Sequence, residues 1–413
     1  MGSEMCIRDR MRILLFAGKG GVGKTSIAAA TGLAAAGRGY RTIVISLDSA
    51  HNLSDSFELS EELFEVKGEP VKVRPNLWIQ EIDVQEEIKR HWGEVHSYIA
   101  ALFRASGVKE ILAEELAILP GMEEVSGLLY INSYARKGSY DLIVLDCAPT
   151  GEAIRFVSLP TILEWYMKKF FNLERKLAKV VGPFVERIYN VPMPEDSCFD
   201  SIESLFNRLE GVEELLSDSK VTSVRLVTNP EKIVVKETQR AFLYFSLYGL
   251  CVDGVIVNKV FPAETSDLFL REWQVLQGKY ISELESYFSP VPVFRLPLYQ
   301  REVKGIKALQ ELARDLYGDH DPAEVFHPEP PYCFAKDDDH YLLRIKLPFV
   351  TKEEVELSKR GDELIIKVGV FKRHVILPKN MATLTPQGAK IEGKTLTIKF
   401  GGKEDGQGKE RRR

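Results

Sequence analysis

The chain has little of what marks several common protein classes. Among 413 residues there are five cysteines, Cys6, Cys147, Cys198, Cys251 and Cys333, with no Cys-x-x-Cys pair among them. This excludes a disulfide framework or a zinc knuckle built within one chain and fits a reducing compartment. The formal net charge is only −5, so no nucleic-acid partner is expected. No apolar run approaches the roughly 18 to 20 residues needed to cross a bilayer, and the N-terminus lacks the apolar core of a secretory signal. A soluble, cytoplasmic protein is the expectation. The last thirteen residues, GGKEDGQGKERRR, have no apolar residue, and 401–413 reads as a disordered tail. The first ten, MGSEMCIRDR, resemble a translated sequencing-adapter remnant, so 1–10 reads as a non-native or disordered leader with Met11 as the start.

What is present is enough apolar content, 45% against 28% charged, for two or three domains to bury their own cores. From Arg12 to Leu316, short aliphatic runs alternate with longer helical stretches, which predicts an α/β fold with a doubly wound, mostly parallel sheet. The expected strands are 12–17, 41–46, 77–82, 141–146, 224–229, 252–258 and 291–296, each apolar enough for burial on both faces. Two helical insertions, about 83–130 and 155–217, interrupt the rhythm. In the first, Val84, Ile88, Trp92, Val95, Ile99 and Leu102 recur at helical spacing and predict one apolar stripe. In the second, the run from Leu163 to Ile188 is apolar around most of a helix. An ordinary buried helix, a helix held between partners and the wall of an apolar groove all fit it.

The stretch DHDPAEVFHPEPP, 319–331, has four prolines, which no helix or central strand tolerates, and reads as a linker. Alternating runs follow at 341–347, 363–369, 373–378 and 395–400, predicting a small antiparallel β-sandwich over 332–400. The expected ATPase unit is 11–318.

The strongest chemical signal is GKGGVGKTS, 18–26, between a predicted strand and the helical run that follows. It fits the P-loop pattern. Backbone N–H groups of Gly18, Lys19, Gly20, Gly21, Val22 and Gly23 can cradle phosphates beside Ser26, Lys24 can reach the β and γ oxygens, and the Thr25 hydroxyl can ligate Mg²⁺. ATP with Mg²⁺ is the expected ligand.

The KGGVGKT form, with its extra Lys19, resembles the deviant P-loop of dimerising ATPases. LDSAHNLSD (47–55) and DCAPTGEAIRFVSLP (146–160) resemble the two switch motifs of the ArsA and tail-anchored-protein-targeting ATPases. PGMEE (120–124), VTNPEKIVVKETQRA (227–241), VNK (257–259) and PLYQREVKGIKAL (297–309) extend the match over 12–317. The resemblance implies a homodimer in which Lys19 reaches the partner's nucleotide where transition-state charge develops. It implies that Asp48 orients or deprotonates the attacking water beside the metal, and that Asp146 holds the Mg²⁺ shell. Asn258 and Asn229 would read the adenine edge, although an Asn at a strand end also suits a plain turn. Ser49 replaces the usual proline of the first switch and Glu152 the histidine of the second. The zinc-binding Cys-x-x-Cys pair of the eukaryotic members is missing, so no interfacial zinc is expected.

The segment from YLLRIKLPFV to TLTIKF resembles the α-crystallin domain of small heat-shock proteins. A family member carrying this module implies an ATP-gated protein that targets or chaperones a hydrophobic helix of a membrane-protein client, with a transient membrane receptor compatible with that role. The alternative is an ATPase subunit energising arsenite or anion transport. Such members resemble two fused halves with a cysteine-based metalloid site, whereas this chain has one P-loop and no cysteine cluster. Septum- or plasmid-positioning ATPases resemble chains that end in an amphipathic helix, and the nitrogenase iron protein needs paired cysteines for its cluster. Neither feature is found here.

Overall fold

Apolar runs too long for a half-exposed strand become a sheet buried on both faces. The computed structural model describes residues 11–48, 52–59, 68–105, 121–167, 196–262, 268–337 and 340–401, with the isolated positions 109, 117, 171 and 175. The leader 1–10, Ser49 of the first switch, most of the apolar run 163–188 and the tail beyond Gly401 lie outside the described residues. Gly401 itself belongs to the last strand, one residue beyond the expected sandwich.

In chain order, β1 (Arg12–Ala17) leads into α1 (Lys24–Gly37), then β2 (Thr42–Ser46), β3 (Val71–Arg74) and β4 (Leu77–Glu81). Next come α2 (Gly93–Ala105), α3 (Met122–Lys137), β5 (Leu142–Asp146), α4 (Thr150–Tyr166), α5 (Asp196–Leu209) and α6 (Val212–Ser217). The unit closes with β6 (Thr222–Thr228), α7 (Lys232–Leu247), β7 (Val252–Val260), α8 (Leu268–Phe288), β8 (Val293–Pro297) and α9 (Gly305–Tyr317). The strand order is β3-β4-β2-β5-β1-β6-β7-β8. Every pairing is parallel except that of β3 with β4.

Successive residues of the central strands serve opposite cores. Leu15, Ile45 and Leu145 pack with Leu128 of α3, Phe156 of α4 and Phe245 of α7. Leu14, Val44 and Val144 pack with Ile27 of α1 and Leu312 of α9. The predicted first-insertion helix is present as Val84–Glu87 and α2, with a π-helical turn, Ile88–Trp92, between them. No helix among the described residues is long and apolar enough to cross a membrane.

The Pro-rich stretch 319–331 has no helix or strand, yet it is tied down along the amino-terminal edge of the sheet. Arg12 donates to Ala323 O at 3.0 Å, Arg225 to Glu324 O at 2.9 Å, and Cys251 Sγ to His327 O at 3.2 Å. Beyond it lie β9 (Tyr332–Asp337), β10 (His340–Lys346), β11 (Val355–Arg360), β12 (Glu363–Val368), β13 (Phe371–Ile376), β14 (Thr385–Glu392) and β15 (Thr395–Gly401). They form sheets of order β14-β15-β10-β9 and β11-β12-β13. Leu343, Ile345, Leu364, Ile366, Leu396 and Ile398 fill the space between them, and Leu247 of α7 belongs to the same core.

Candidate active site

Strand register brings the chemistry together at the carboxyl edge of the sheet. Asp146 pairs with Phe16 of β1 on one side and with Ser46 of β2 on the other. The loops leaving these three strands therefore carry Gly18–Ser26, Asp48 and the second switch to one place. This is where a doubly wound sheet binds ligands.

The loop between β1 and α1 needs its glycines for identifiable reasons. A Cβ at Gly18 would run into the Val227 carbonyl oxygen of β6. Gly21 and Gly23 have φ of 79° and 98°, values that side-chain-bearing residues seldom adopt. Gly23 caps α1 without a side-chain hydrogen bond, and the first turn has no acidic residue. A helix N-terminus left in that state favours an anion. Lys24 is buried, with Nζ donating to Lys19 O at 3.3 Å. Lys19, Thr25 and Ser26 are half-buried and Gly20 is exposed.

Asp146 is 1% exposed, and neither carboxylate oxygen makes a hydrogen bond of normal geometry. Burial pushes its pKa up to about 6, with Asp48 adding to the rise while the Thr25 hydroxyl and the Lys24 ammonium oppose it. A buried carboxylate in this condition is costly unless something else neutralises it. A divalent cation held between Asp146 and the Thr25 hydroxyl answers that need. Among the described residues no cluster of three or more His, Cys, Asp or Glu could hold a metal alone. Mg²⁺ bound with nucleotides characteristically takes one or two protein ligands, the rest coming from phosphate and water. Asp48 is half-buried, with its backbone N–H and carbonyl both turned to the Ser46 hydroxyl.

Cys147 is buried and burial raises its thiol pKa, so it packs as a small apolar residue. Asn229 follows β6, nearly buried, with its amide oxygen unpartnered. Asn258 is engaged with the loop itself. Its Nδ2 donates to Val22 O at 2.8 Å, and its Oδ1 accepts from Lys259 N–H at 2.9 Å. A Cβ at Gly23 would strike that amide nitrogen.

Two residues of this corner escaped the sequence reading. Lys259 Nζ donates to Gly21 O at 2.8 Å, and Gln277 of α8 donates to Lys259 O and accepts from Phe261 N–H. The string VNK was the only hint. Thr150, opening α4, donates to Glu237 of α7 at 3.0 Å, so the helix leaving the second switch is joined to the one leaving β6.

A parallel sheet with a glycine-rich loop between its central strand and a helix, and a buried carboxylate on the adjacent strand, defines a P-loop NTPase-like protein. More narrowly, the chain belongs to the ArsA ATPase family. The family model described as anion-transporting ATPase matches residues 11–318, and one described as an HSP20-like domain found in ArsA matches residues 338–400. The chain is 52% identical to "Putative arsenical pump-driving ATPase 1" of Aquifex aeolicus over 94% of its own length and 99% of that protein. It is 41% identical to a protein of matching description from Chlorobaculum tepidum, covering 96% of this chain and 98% of the other. The "ATPase ASNA1 homolog" of Entamoeba histolytica is 26% identical over 73% of this chain and 93% of its own.

Proposed function

We propose that this chain is a Mg²⁺-dependent, homodimeric ATPase whose opening and closing controls the capture of a hydrophobic helix from a membrane-protein client. The observation that carries the ATPase part is the buried Asp146 carboxylate, with no hydrogen bond of normal geometry, beside Thr25 and Lys24 at the mouth of the loop. Mg²⁺, when bound with nucleotide, would supply charge neutralisation. Loop N–H groups and Lys24 orient the phosphates. Thr25 and Asp146 fix the metal shell, and Asp48 aligns the attacking water in line with the leaving group. Lys19 from the facing subunit adds charge in the transition state, which makes closure and turnover interdependent. Asn258 of β7 and Asn229, which follows β6, are assigned to the base.

The client part draws support from the relative named ATPase ASNA1 homolog and from the HSP20-like module. A second reading, energising arsenite or anion transport, is favoured by the names of the more similar relatives. One experiment separates the two. Asp48→Asn protein is expected to bind ATP, lose hydrolysis and capture a purified hydrophobic helix only when ATP is present. Wild-type turnover should be indifferent to arsenite. Ordinary turnover by Asp48→Asn would remove that residue from the mechanism, and arsenite stimulation without helix capture would favour the transport reading.

A further inference from the structure

Strand β7 does not run straight to its end. Its pairing with β8 slips between Val257 and Val260, and Lys259 inside that slip has φ of 60°. A lysine in the left-handed region costs free energy, and such residues persist only where their surroundings hold them. Here four backbone groups around the kink have partners. Lys259 N–H donates to Asn258 Oδ1 at 2.9 Å. The buried Gln277 side chain accepts from Phe261 N–H at 2.9 Å and donates to Lys259 O at 3.2 Å. Leu298 N–H closes the far side on Val260 O at 2.8 Å.

This kink aims two side chains at two consecutive carbonyls of the phosphate loop. Lys259 Nζ donates to Gly21 O and Asn258 Nδ2 to Val22 O, both at 2.8 Å. A trans peptide is planar, with its C=O and N–H pointing in opposite directions. Drawing Gly21 O towards β7 therefore turns the Val22 N–H the other way, and drawing Val22 O turns the Gly23 N–H. These peptides flank Gly21 and Gly23, both with positive φ, and glycine is the residue whose neighbouring peptide planes flip most readily. Without a clamp the loop would have to be ordered by the nucleotide at the nucleotide's expense.

We propose that Lys259 is a positioning residue that, with Asn258, presets the phosphate-facing N–H groups of the loop. The inference rests on the nucleotide-binding reading above and adds how the cradle keeps its shape before the ligand arrives. On this reading Lys259 acts through the loop, by its contact with Gly21 O, and not through the base.

The test compares wild type with Lys259→Met, an exposed position, by titrating Mg²⁺ with ATP and, separately, with tripolyphosphate, which has phosphates but no base. The expected result is a loss of about tenfold, the scale of one charge-assisted hydrogen bond, and equal for both ligands. The ligand-free melting temperature should not change, and Lys259→Arg should restore most of the affinity. Unchanged affinities in Lys259→Met, a loss confined to ATP, or a fall in ligand-free melting temperature that accounts for the loss would each overturn the inference. Wild-type protein that binds neither ligand would instead overturn the nucleotide reading itself.

Discussion

Asp146 is a carboxylate whose local environment works against its charge. In an unfolded chain its pKa is 3.8 and in the fold it is pushed up to about 6, burial being the main cause. Below about pH 4 the group is protonated in both states and costs nothing. Above about pH 6 the folded protein holds a buried anion, and two pKa units correspond to roughly 3 kcal/mol of destabilisation at most. Asp146→Asn is therefore expected to make the nucleotide-free protein more stable at pH 7.5 by about 1 to 3 kcal/mol. That gain should shrink as pH falls through 6 and vanish near 4, while Mg²⁺-dependent turnover is lost. Denaturant melts of both proteins across this range would show it, and an Asn variant no more stable at pH 7.5 would contradict it. Asp146 was legible in the sequence because an aliphatic strand ending in Asp ahead of a switch motif leaves a local trace. Lys259 was not. Its contact with Gly21 spans 238 positions, and a positive φ in a lysine leaves no mark that composition or periodicity could reveal.

At the scale of elements, two helices run from the candidate site to the sandwich. α4 starts at the second switch and α7 follows Asn229, and Thr150 joins them to each other through Glu237. Further along α4, Thr161 meets Arg373 of β13, which also pairs with Glu213 of α6 at 2.9 Å and lies 5.1 Å from the Tyr248 ring centroid. Arg373 is 8% exposed, so cutting its contacts strands a nearly buried charge or its partner. A double-mutant cycle of Arg373→Met with Glu213→Gln is expected to give a coupling of about 1 to 2 kcal/mol, discounted because Glu213 remains partly in water. Additive effects would mean that the pair carries no docking energy. Legibility at this scale followed burial. β1, β2, β5 and β6 are buried throughout, and the aliphatic residues at their centres stood out. β3, β11 and β14, with VKVR, VELSKR and TPQGAKIE, lie at sheet edges and are mostly half-exposed or exposed, so no apolar run marks them. The antiparallel β3 was missed for that reason. Proline argues against a helix interior, yet α4 continues across Pro160 and begins at Thr150, ahead of the helical insertion expected from about 155.

At the scale of the whole molecule, the four-proline stretch behaves as a fastening. Arg225, 1% exposed, pairs with the fully buried Asp253, donates to Tyr317 and Glu324 O, and lies 4.3 Å from the Phe326 ring centroid. The sequence marked the stretch as unable to form a helix or strand, but the anchoring arginine and aspartate lie on strands about a hundred and about seventy positions upstream. The sandwich is held in turn by Tyr332 OH donating to Leu247 O at 2.6 Å and by Lys394 donating to Tyr287 O and Ser289 O at 2.8 and 2.9 Å. All these ties lie away from the carboxyl edge where Lys24, Asp48 and Asp146 meet. A chain ending at residue 331 is thus expected to hydrolyse ATP at an undiminished rate per folded molecule. The same truncation uncovers Leu247, which is fully buried, and the Phe242 and Phe288 rings that pack on Phe349. Exposing two or three large apolar side chains costs about 3 to 6 kcal/mol, which lowers the melting temperature by roughly 5 °C or more. Turnover measured well below that melting point, beside thermal melts of both chains, separates the two effects. If turnover falls while the truncated protein is still folded, the sandwich contributes to the nucleotide cycle through α4 and α7. If only the melting temperature falls, its mechanical part is to cover α7.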